Sequence, residues 1–372
     1  MKYYIIAGEA SGDLHGSNLI KELKKLDVAA DFKVWGGDEM QAAGANVVKH
    51  YRDLAFMGFA EVIQNLPTIF RNLKFCKQDI EQFHPDALIL IDYPGFNLRI
   101  AKWAKVNGLK VIYYISPQVW AWKENRVKEI KKYVDKMLVI LPFEKAFYNK
   151  WNFNVEYVGH PLIEVMDQFR EHNVEKLTLN IDQSNKKIIA LLPGSRKQEI
   201  KRKLPIMLQT AANFPNHNFV VARAPGIEEE FYKSFLSAYK NVSGVVNQTY
   251  QLLSTADAAL VTSGTATLET ALFGVPEIVC YKGSLISFFI AKRLIKLKYI
   301  SLVNLIMNKE VVKELIQDKL TVKNLTKELE QLLSNSTKQT QIKNDYADLK
   351  NLLTQGGNAS AKAAKIIYEF LK

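Results

Sequence analysis

The sequence predicts an α/β protein of two Rossmann-like, doubly wound domains in tandem, facing a cleft. Three observations predict it. Short apolar runs such as Tyr3–Ala7, Ala87–Ile91, Ile188–Leu192 and Ala258–Thr262 read as strands buried on both faces. Helical stretches separate them, as in a parallel sheet covered by helices. The alternation ends after Glu156–His160, crosses a polar linker at Asp182–Lys187 and restarts at Ile188. The expected domains are residues 1–165 and 186–340, with a C-terminal helix (358–372) packing back on the first.

In the first half, Tyr3–Ala7 leads into a turn at Gly8–Asp13 and a helix reaching about Leu26. Phe32–Trp35 is a second strand that ends in Gly36-Gly37. Ala87–Ile91, Val111–Ile115 and Met137–Leu141 follow as strands with helices between them. In the second half, Ile188–Leu192 meets the turn Pro193–Arg196 and a helix over Gln198–Asn213. Phe219–Ala222 and Gly244–Val246 are strands. Ala258–Thr262 is a strand, Ser263–Thr265 a tight turn, Ala266–Phe273 a helix stopped by Gly274 and Pro276, and Val275–Tyr281 a strand. From Lys313 the chain reads as helical and charged, with a polar break at Ser334–Gln341. Gly356-Gly357-Asn358 precedes the last helix, Ala359–Leu371.

Lys and Arg outnumber Asp and Glu by 50 to 38, a net charge of +12. That favours an anionic partner without choosing among phosphate, nucleic acid and an acidic membrane. Cys76 and Cys280 show no metal-type spacing and fit a reducing compartment. No apolar run approaches the roughly 18 residues of a membrane span, and the short apolar N-terminus does not read as a signal peptide. A cytoplasmic protein is expected. Phosphate-loop, H-E-x-x-H and D-x-D patterns are absent, so no metal is implied.

Five stretches are candidates for chemistry, each with a plainer reading beside it. In Ser263-Gly264-Thr265-Ala266, free amides and the positive end of a helix dipole form an anion cradle, and Glu269 one turn on suits sugar hydroxyls. An ordinary helix cap with a surface glutamate reads as well. In Gly194-Ser195-Arg196, the arginine is placed to clamp a diphosphate, or is simply exposed. Asp92, at the end of a buried strand, is placed as a general base. As a helix cap it is less well placed than Asn97. Gly8–Asp13 resembles a phosphate-binding turn, but Glu9 repels anions and suits a sugar hydroxyl. The structural alternative puts Asp13 at a helix N-terminus. Trp120 and Trp122, just past a strand end, are placed to line a sugar or acyl site, or equally to pack the two domains together.

Membrane contact is a further candidate. On the helix after Pro67, Ile69, Leu73, Cys76, Ile80 and Phe83 share a core face. That leaves Phe59, Val62, Ile63, Leu66 and Phe70 beside a basic row of Arg71, Lys74 and Lys77. Ser284–Lys298 is similar, with Phe288, Phe289, Lys292, Arg293 and Lys296, although its charges are not segregated. Buried packing is the competing reading for both stretches.

Several motifs occur in a fixed order: GEASGD at Gly8–Asp13, IDYPGFN at Ile91–Asn97, SPQVWAW at Ser116–Trp122, LPGSR at Leu192–Arg196 and SGTATLE at Ser263–Glu269. With Phe143–Tyr148 and Ala291–Leu294, the set closely resembles the lipid-A-disaccharide synthase family of GT-B glycosyltransferases, nearly end to end. The resemblance implies transfer from UDP-2,3-diacylglucosamine to the 6-hydroxyl of 2,3-diacylglucosamine 1-phosphate (lipid X), with inversion and without a metal or other cofactor. Asp92 is then the base. Gly194, Ser195 and Arg196, with Ser263, Gly264, Thr265 and Ala266, hold the UDP. Glu269 takes its ribose, Glu9 and Ser11 lie on the acceptor side, and Asn304 is near the active site.

The family resemblance also implies peripheral binding at the cytoplasmic face of a Gram-negative inner membrane. It implies no nucleic-acid partner and leaves room for a homodimer. Two positions depart from many relatives: Gly95 stands where they carry an acid and Val303 where they carry proline. Another GT-B enzyme on UDP-sugars, such as a 2-epimerase or a glycosyltransferase with a soluble acceptor, is the alternative.

Overall fold

Alternating apolar side chains in a covered strand must serve two cores, and the first seven strands do this. The computed structural model describes residues 1–54, 66–172, 186–284 and 297–372, which form two compact units. Unit 1 comprises Met1–Glu164 and Leu353–Lys372. Its strands are β1 (Lys2–Ala7), β2 (Asp31–Gly36), β3 (Asn46–His50), β4 (Ala87–Ile91), β5 (Lys110–Tyr114), β6 (Lys136–Val139) and β7 (Glu156–Tyr157). They form a parallel sheet in the order β3-β2-β1-β4-β5-β6-β7. Tyr4, Ile6, Leu88 and Leu90 pack on one face, while Tyr3, Ile5, Ile89 and Ile91 pack on the other.

The second face is closed by the first and last helices, Ala10–Leu26 and Ala359–Leu371. Leu19, Ile20 and Leu23 meet Ala359, Ala363, Ala364 and Ile367 there. The small alanines let the helices approach closely. The chain enters the last helix through a backbone contact that excludes side chains: a Cβ on Gly356 would lie 2.2 Å from the Gly159 Cα. Glu164 then accepts from the Ser360 N–H at 2.6 Å.

Unit 2, Val165–Leu352, repeats the architecture. Its strands are β8 (Ile188–Leu192), β9 (Asn218–Arg223), β10 (Val242–Val246), β11 (Ala258–Thr262), β12 (Glu277–Tyr281) and β13 (Lys313–Ile316), in the order β10-β9-β8-β11-β12-β13. All pairings are parallel. In each unit the chain winds outward to one side of its first strand and then restarts on the other side. The loops diverge at β1/β4 and at β8/β11, and such switch points create a crevice at the carboxyl ends of the strands.

Several expectations need correction. The helix after β1 starts at Ala10, so most of the supposed Gly8–Asp13 turn is helical. Its Asp13 is buried, and instead of serving its own helix it accepts from the Gly37, Glu39 and Met40 N–H groups at 2.7, 3.1 and 3.1 Å. It thereby caps the short helix Asp38–Ala42. Asn97 lies inside the helix Pro94–Val106 and does not cap it. Its buried amide donates to the carbonyls of Ile91 and Asp92 at 3.2 and 2.8 Å, pinning the end of β4. Lys313–Ile316 is a strand rather than helix. The polar break at Ser334–Gln341 shrinks to Asn335, because a helix runs over Ser336–Thr354. The linker before Lys186, Phe59, Val62 and Ile63, most of Ser284–Lys298 and the motif Ala291–Leu294 lie outside the described residues.

Candidate active site

The switch point of unit 2 holds a cavity of about 350 Å³. Gly194, Ser195, Arg196 and Glu199 come from the turn and helix after β8, Thr262 from the end of β11, and Ser263, Gly264, Thr265, Ala266 and Glu269 from the turn and helix that follow it. Ala222–Pro225, at and just past the end of β9, and Thr249 complete it. Two helices, Lys197–Ala211 and Thr265–Leu272, begin at this cavity. Both present free first-turn amides and positive dipole ends, the physical basis of anion binding. Gly194 has φ +120°, which L side chains rarely adopt, and a Cβ there would lie 2.5 Å from Glu199 Oε2. The Glu199 carboxylate is bracketed by two cations, 3.8 Å from Arg196 Nη1 and 3.8 Å from Lys203 Nζ.

Glu269 lines the same cavity. Tyr250 donates its hydroxyl to Glu269 Oε1 at 3.0 Å, leaving the other oxygen for a ligand. Burial raises the Glu269 pKa, and the Tyr250 bond opposes that rise. Ser263 donates to the Ile300 carbonyl at 3.0 Å, so its hydroxyl hydrogen is already used. Tyr250, Thr249 and the Ala222–Pro225 segment were not found by sequence reasoning. The Pro225-Gly226 turn directly after a strand was the available signal.

The switch point of unit 1 has the opposite chemistry. β1 and β4 end side by side, with Ala7 paired to Ile91, and the next residues deliver Glu9 and Asp92. Asp92 and Tyr93 both have positive φ, +44° and +48°, a strained pair that clusters at functional sites. Asn97 and the Tyr113 hydroxyl hold this turn by donating to the Asp92 carbonyl. The carboxyl is thus fixed at the backbone. Its pKa is pushed up to about 7, chiefly by burial and then by the Glu9 charge, with the Tyr93 N–H acting against both. Glu9 and Ser11 are exposed at the start of the first helix.

Other candidates have structural partners. Trp120 packs edge-on against Phe143 at 4.9 Å, while Trp122 is exposed beneath Lys123. The Ser116 and Tyr148 hydroxyls share a hydrogen bond at 2.6 Å, and buried Glu144 accepts from the Ile140 and Leu141 N–H groups. Those contacts explain the motifs Ser116–Trp122 and Phe143–Tyr148 as one packed corner. Asn304 is buried, donates to the Val312 carbonyl and to Glu314, and accepts from the Val311 and Val312 N–H groups. All its polar atoms are engaged in holding the backbone, and it does not line the cavity. Val303 lies in the first turn of the helix Leu302–Met307, where proline is also tolerated. Gly95 has open space around it. Among the described residues, no group of three His, Cys, Asp or Glu side chains could hold a metal ion.

Two doubly wound parallel-sheet units of this kind make up the GT-B fold. Solved structures with this fold include the glycotransferase of kitacinnamycin, with a TM-score of 0.69 at 13% identity, covering 100% of this chain and 99% of that one. A UDP-GlcNAc 2-epimerase from Neisseria meningitidis gives a TM-score of 0.67 at 15% identity, covering 100% and 99%. The sequence goes further: the lipid-A-disaccharide synthetase family model matches residues 3–368. A lipid-A-disaccharide synthase of Geobacter metallireducens is 38% identical over 99% of this chain and 96% of its own. The chain therefore belongs to the lipid-A-disaccharide synthase family and is a glycosyltransferase.

Proposed function

We propose that this glycosyltransferase joins UDP-2,3-diacylglucosamine to 2,3-diacylglucosamine 1-phosphate with inversion, giving a β-1,6-linked disaccharide 1-phosphate and UDP. The observation that carries the reading is the Asp92 carboxylate, with a pKa of about 7, at the carboxyl end of β4. A base with that pKa takes up a hydroxyl proton at neutral pH. In the proposed step the acceptor 6-oxygen attacks the anomeric carbon, its proton passes to Asp92, and the bond from that carbon to the UDP oxygen breaks. The leaving diphosphate gains charge, which Arg196 and the first-turn amides after Gly194 and Gly264 offset. Glu269, steadied by Tyr250, receives the ribose hydroxyls. Glu9 and Ser11 meet the acceptor sugar.

Both substrates carry acyl chains, so the enzyme must work against a lipid surface. Peripheral binding to an anionic membrane is supported by Phe70, which is 64% exposed on the helix Leu66–Phe83 with Arg71 and Lys74 exposed beside it. Leu73, Cys76 and Ile80 on the same helix are buried in the core. Among the described residues no helix is long and apolar enough to cross a membrane.

The test measures UDP release from UDP-diacylglucosamine with and without the monosaccharide 1-phosphate lipid. Release is expected only when the lipid acceptor is present, together with a β-linked product. Release that ignores the acceptor would refute the reading.

A further inference from the structure

Lys203 sits where lysine is rare. It lies two turns into the helix Lys197–Ala211 and is only 3% exposed. Its ammonium is directed at the underside of the donor cavity. It donates a short hydrogen bond to Thr262 Oγ1, and it would lie 3.4 Å from a Cβ on Gly194. Thr262 and Gly194 both line the cavity. The only carboxylate paired with Lys203 among the described residues is Glu199, at 3.8 Å.

This is a costly arrangement. An ammonium has three donors and no acceptor. Among the described residues it makes one hydrogen bond and one long ion pair, so its desolvation is poorly offset. Burial lowers its pKa, Glu199 raises it, and the nearby Arg196 charge lowers it again. An apolar side chain of similar length would fill the same space without that cost.

The hydrogen-bond directions indicate what offsets it. The ammonium can only donate, so Thr262 Oγ1 must accept, and the threonine's own hydrogen is left for another partner. Thr262 ends β11 directly beneath the turn Ser263-Gly264, on the cavity wall. We propose that Lys203 is a positioning residue for the donor diphosphate, acting through Thr262, whose hydroxyl it polarises and turns towards a phosphate oxygen. Lys203 thus adds a buried positive charge beneath the phosphates, while Arg196, 53% exposed, approaches from the open side. Charge-assisted hydrogen bonds strengthen one another along such a chain. The inference rests on the reading of this cavity as a diphosphate site.

The test is calorimetric binding of UDP, uridine and inorganic pyrophosphate to the full-length wild type, Lys203→Met, Thr262→Val and Thr262→Ser, with the melting temperature of each. Lys203→Met is expected to weaken UDP and pyrophosphate about tenfold or more, leave uridine unchanged, and keep or raise the melting temperature. Thr262→Val is expected to weaken UDP severalfold, and Thr262→Ser, which restores the hydroxyl, to return it. If Lys203→Met does not fold, the contrast between Thr262→Val and Thr262→Ser decides. Wild-type UDP affinity in all folded variants overturns the inference and leaves the donor-site reading intact. Equal losses for UDP and uridine overturn it too, because they mark general damage to the site. A wild type that binds pyrophosphate but not UDP, with pyrophosphate lost in the variants, supports the inference and refutes the donor reading. A wild type that binds neither refutes both.

Discussion

The turns after β1 and β4 in unit 1 and those after β8 and β11 in unit 2 occupy the same topological place and carry opposite chemistry. Each pair leaves a parallel sheet where the chain reverses its winding. In unit 1 the pair presents two carboxylates, Glu9 and Asp92, and the Glu9 charge adds to the cost of ionising Asp92. In unit 2 it presents glycines, small side chains, helix N-termini and the cations Arg196 and Lys203. The winding fixes where a ligand can approach. The residues that follow each strand set the charge presented there.

The largest expected effect breaks the comparison on the unit 1 side. Asp92→Asn should lower turnover by about 10²–10⁴-fold, the usual worth of a general base, while UDP affinity stays within about twofold. The wild-type rate should rise with pH through about 7 and then level off, because the ionised carboxylate is the active form. The same group has a stability consequence of defined sign. Its pKa is raised from 3.8 to about 7 on folding. The native chain therefore binds more protons than the unfolded one across that window, and the Asp92 contribution to stability is lost as pH rises through it. Asp92→Asn, which never ionises, should gain on the wild type in melting temperature between about pH 4 and 7 and keep its advantage above. A variant no more stable than wild type at pH 8 would contradict the assigned burial.

On the unit 2 side, Arg196→Ala removes one charged donor from an otherwise intact cradle. Hydrogen bonds to charged groups contribute about 1.5–3 kcal/mol, so UDP affinity should fall roughly 10- to 150-fold. Uridine affinity should change little, and the remaining binding should depend less on salt. Unchanged UDP affinity would separate Arg196 from the phosphates.

The comparison also explains what the sequence revealed. Ala87–Ile91, Ile188–Leu192 and Ala258–Thr262 are central strands, buried on both faces, and their continuous apolar runs match the observed limits residue for residue. The strands β3 and β13 lie at sheet edges. Asn46–His50 and Lys313–Ile316 mix charges with apolar residues because one side meets solvent, so neither shows the run or the alternation that marks a strand. Candidate residues followed the same division. Asp92, Arg196 and Ser263 lie within four residues of the end of a central strand, and the apolar run before each showed where that strand stops. Asp13, Asn97 and Asn304 act on backbone groups brought near by tertiary folding, and no local pattern announces such partners.

Asn304 supplies a smaller expected effect that separates scaffold from site. Its side chain makes four hydrogen bonds while wholly buried. Asn304→Ala strands the Val311 and Val312 N–H groups, at a cost of about 1–3 kcal/mol. Denaturant unfolding should show that loss, with UDP affinity at low temperature within about twofold of wild type. A selective loss of UDP binding without loss of stability would give Asn304 a direct part in the donor site.

The smallest expected effect concerns Gly95, in the first turn of the helix Pro94–Val106. Nothing lies within 4 Å of a Cβ placed there, and its backbone does not demand glycine. Gly95→Asp should therefore fold normally and gain a few tenths of a kcal/mol from a negative charge at a helix N-terminus. It also adds a carboxylate three residues along the chain from Asp92. Like charge favours the protonated form of its neighbour, so the rising limb of the rate–pH curve should move up by about half a unit. The plateau above it should stay, since the base itself is untouched, and the rate at pH 7 should fall by no more than about threefold. A change in the plateau with no shift in the limb would mean that position 95 acts on the acceptor rather than through the charge of Asp92.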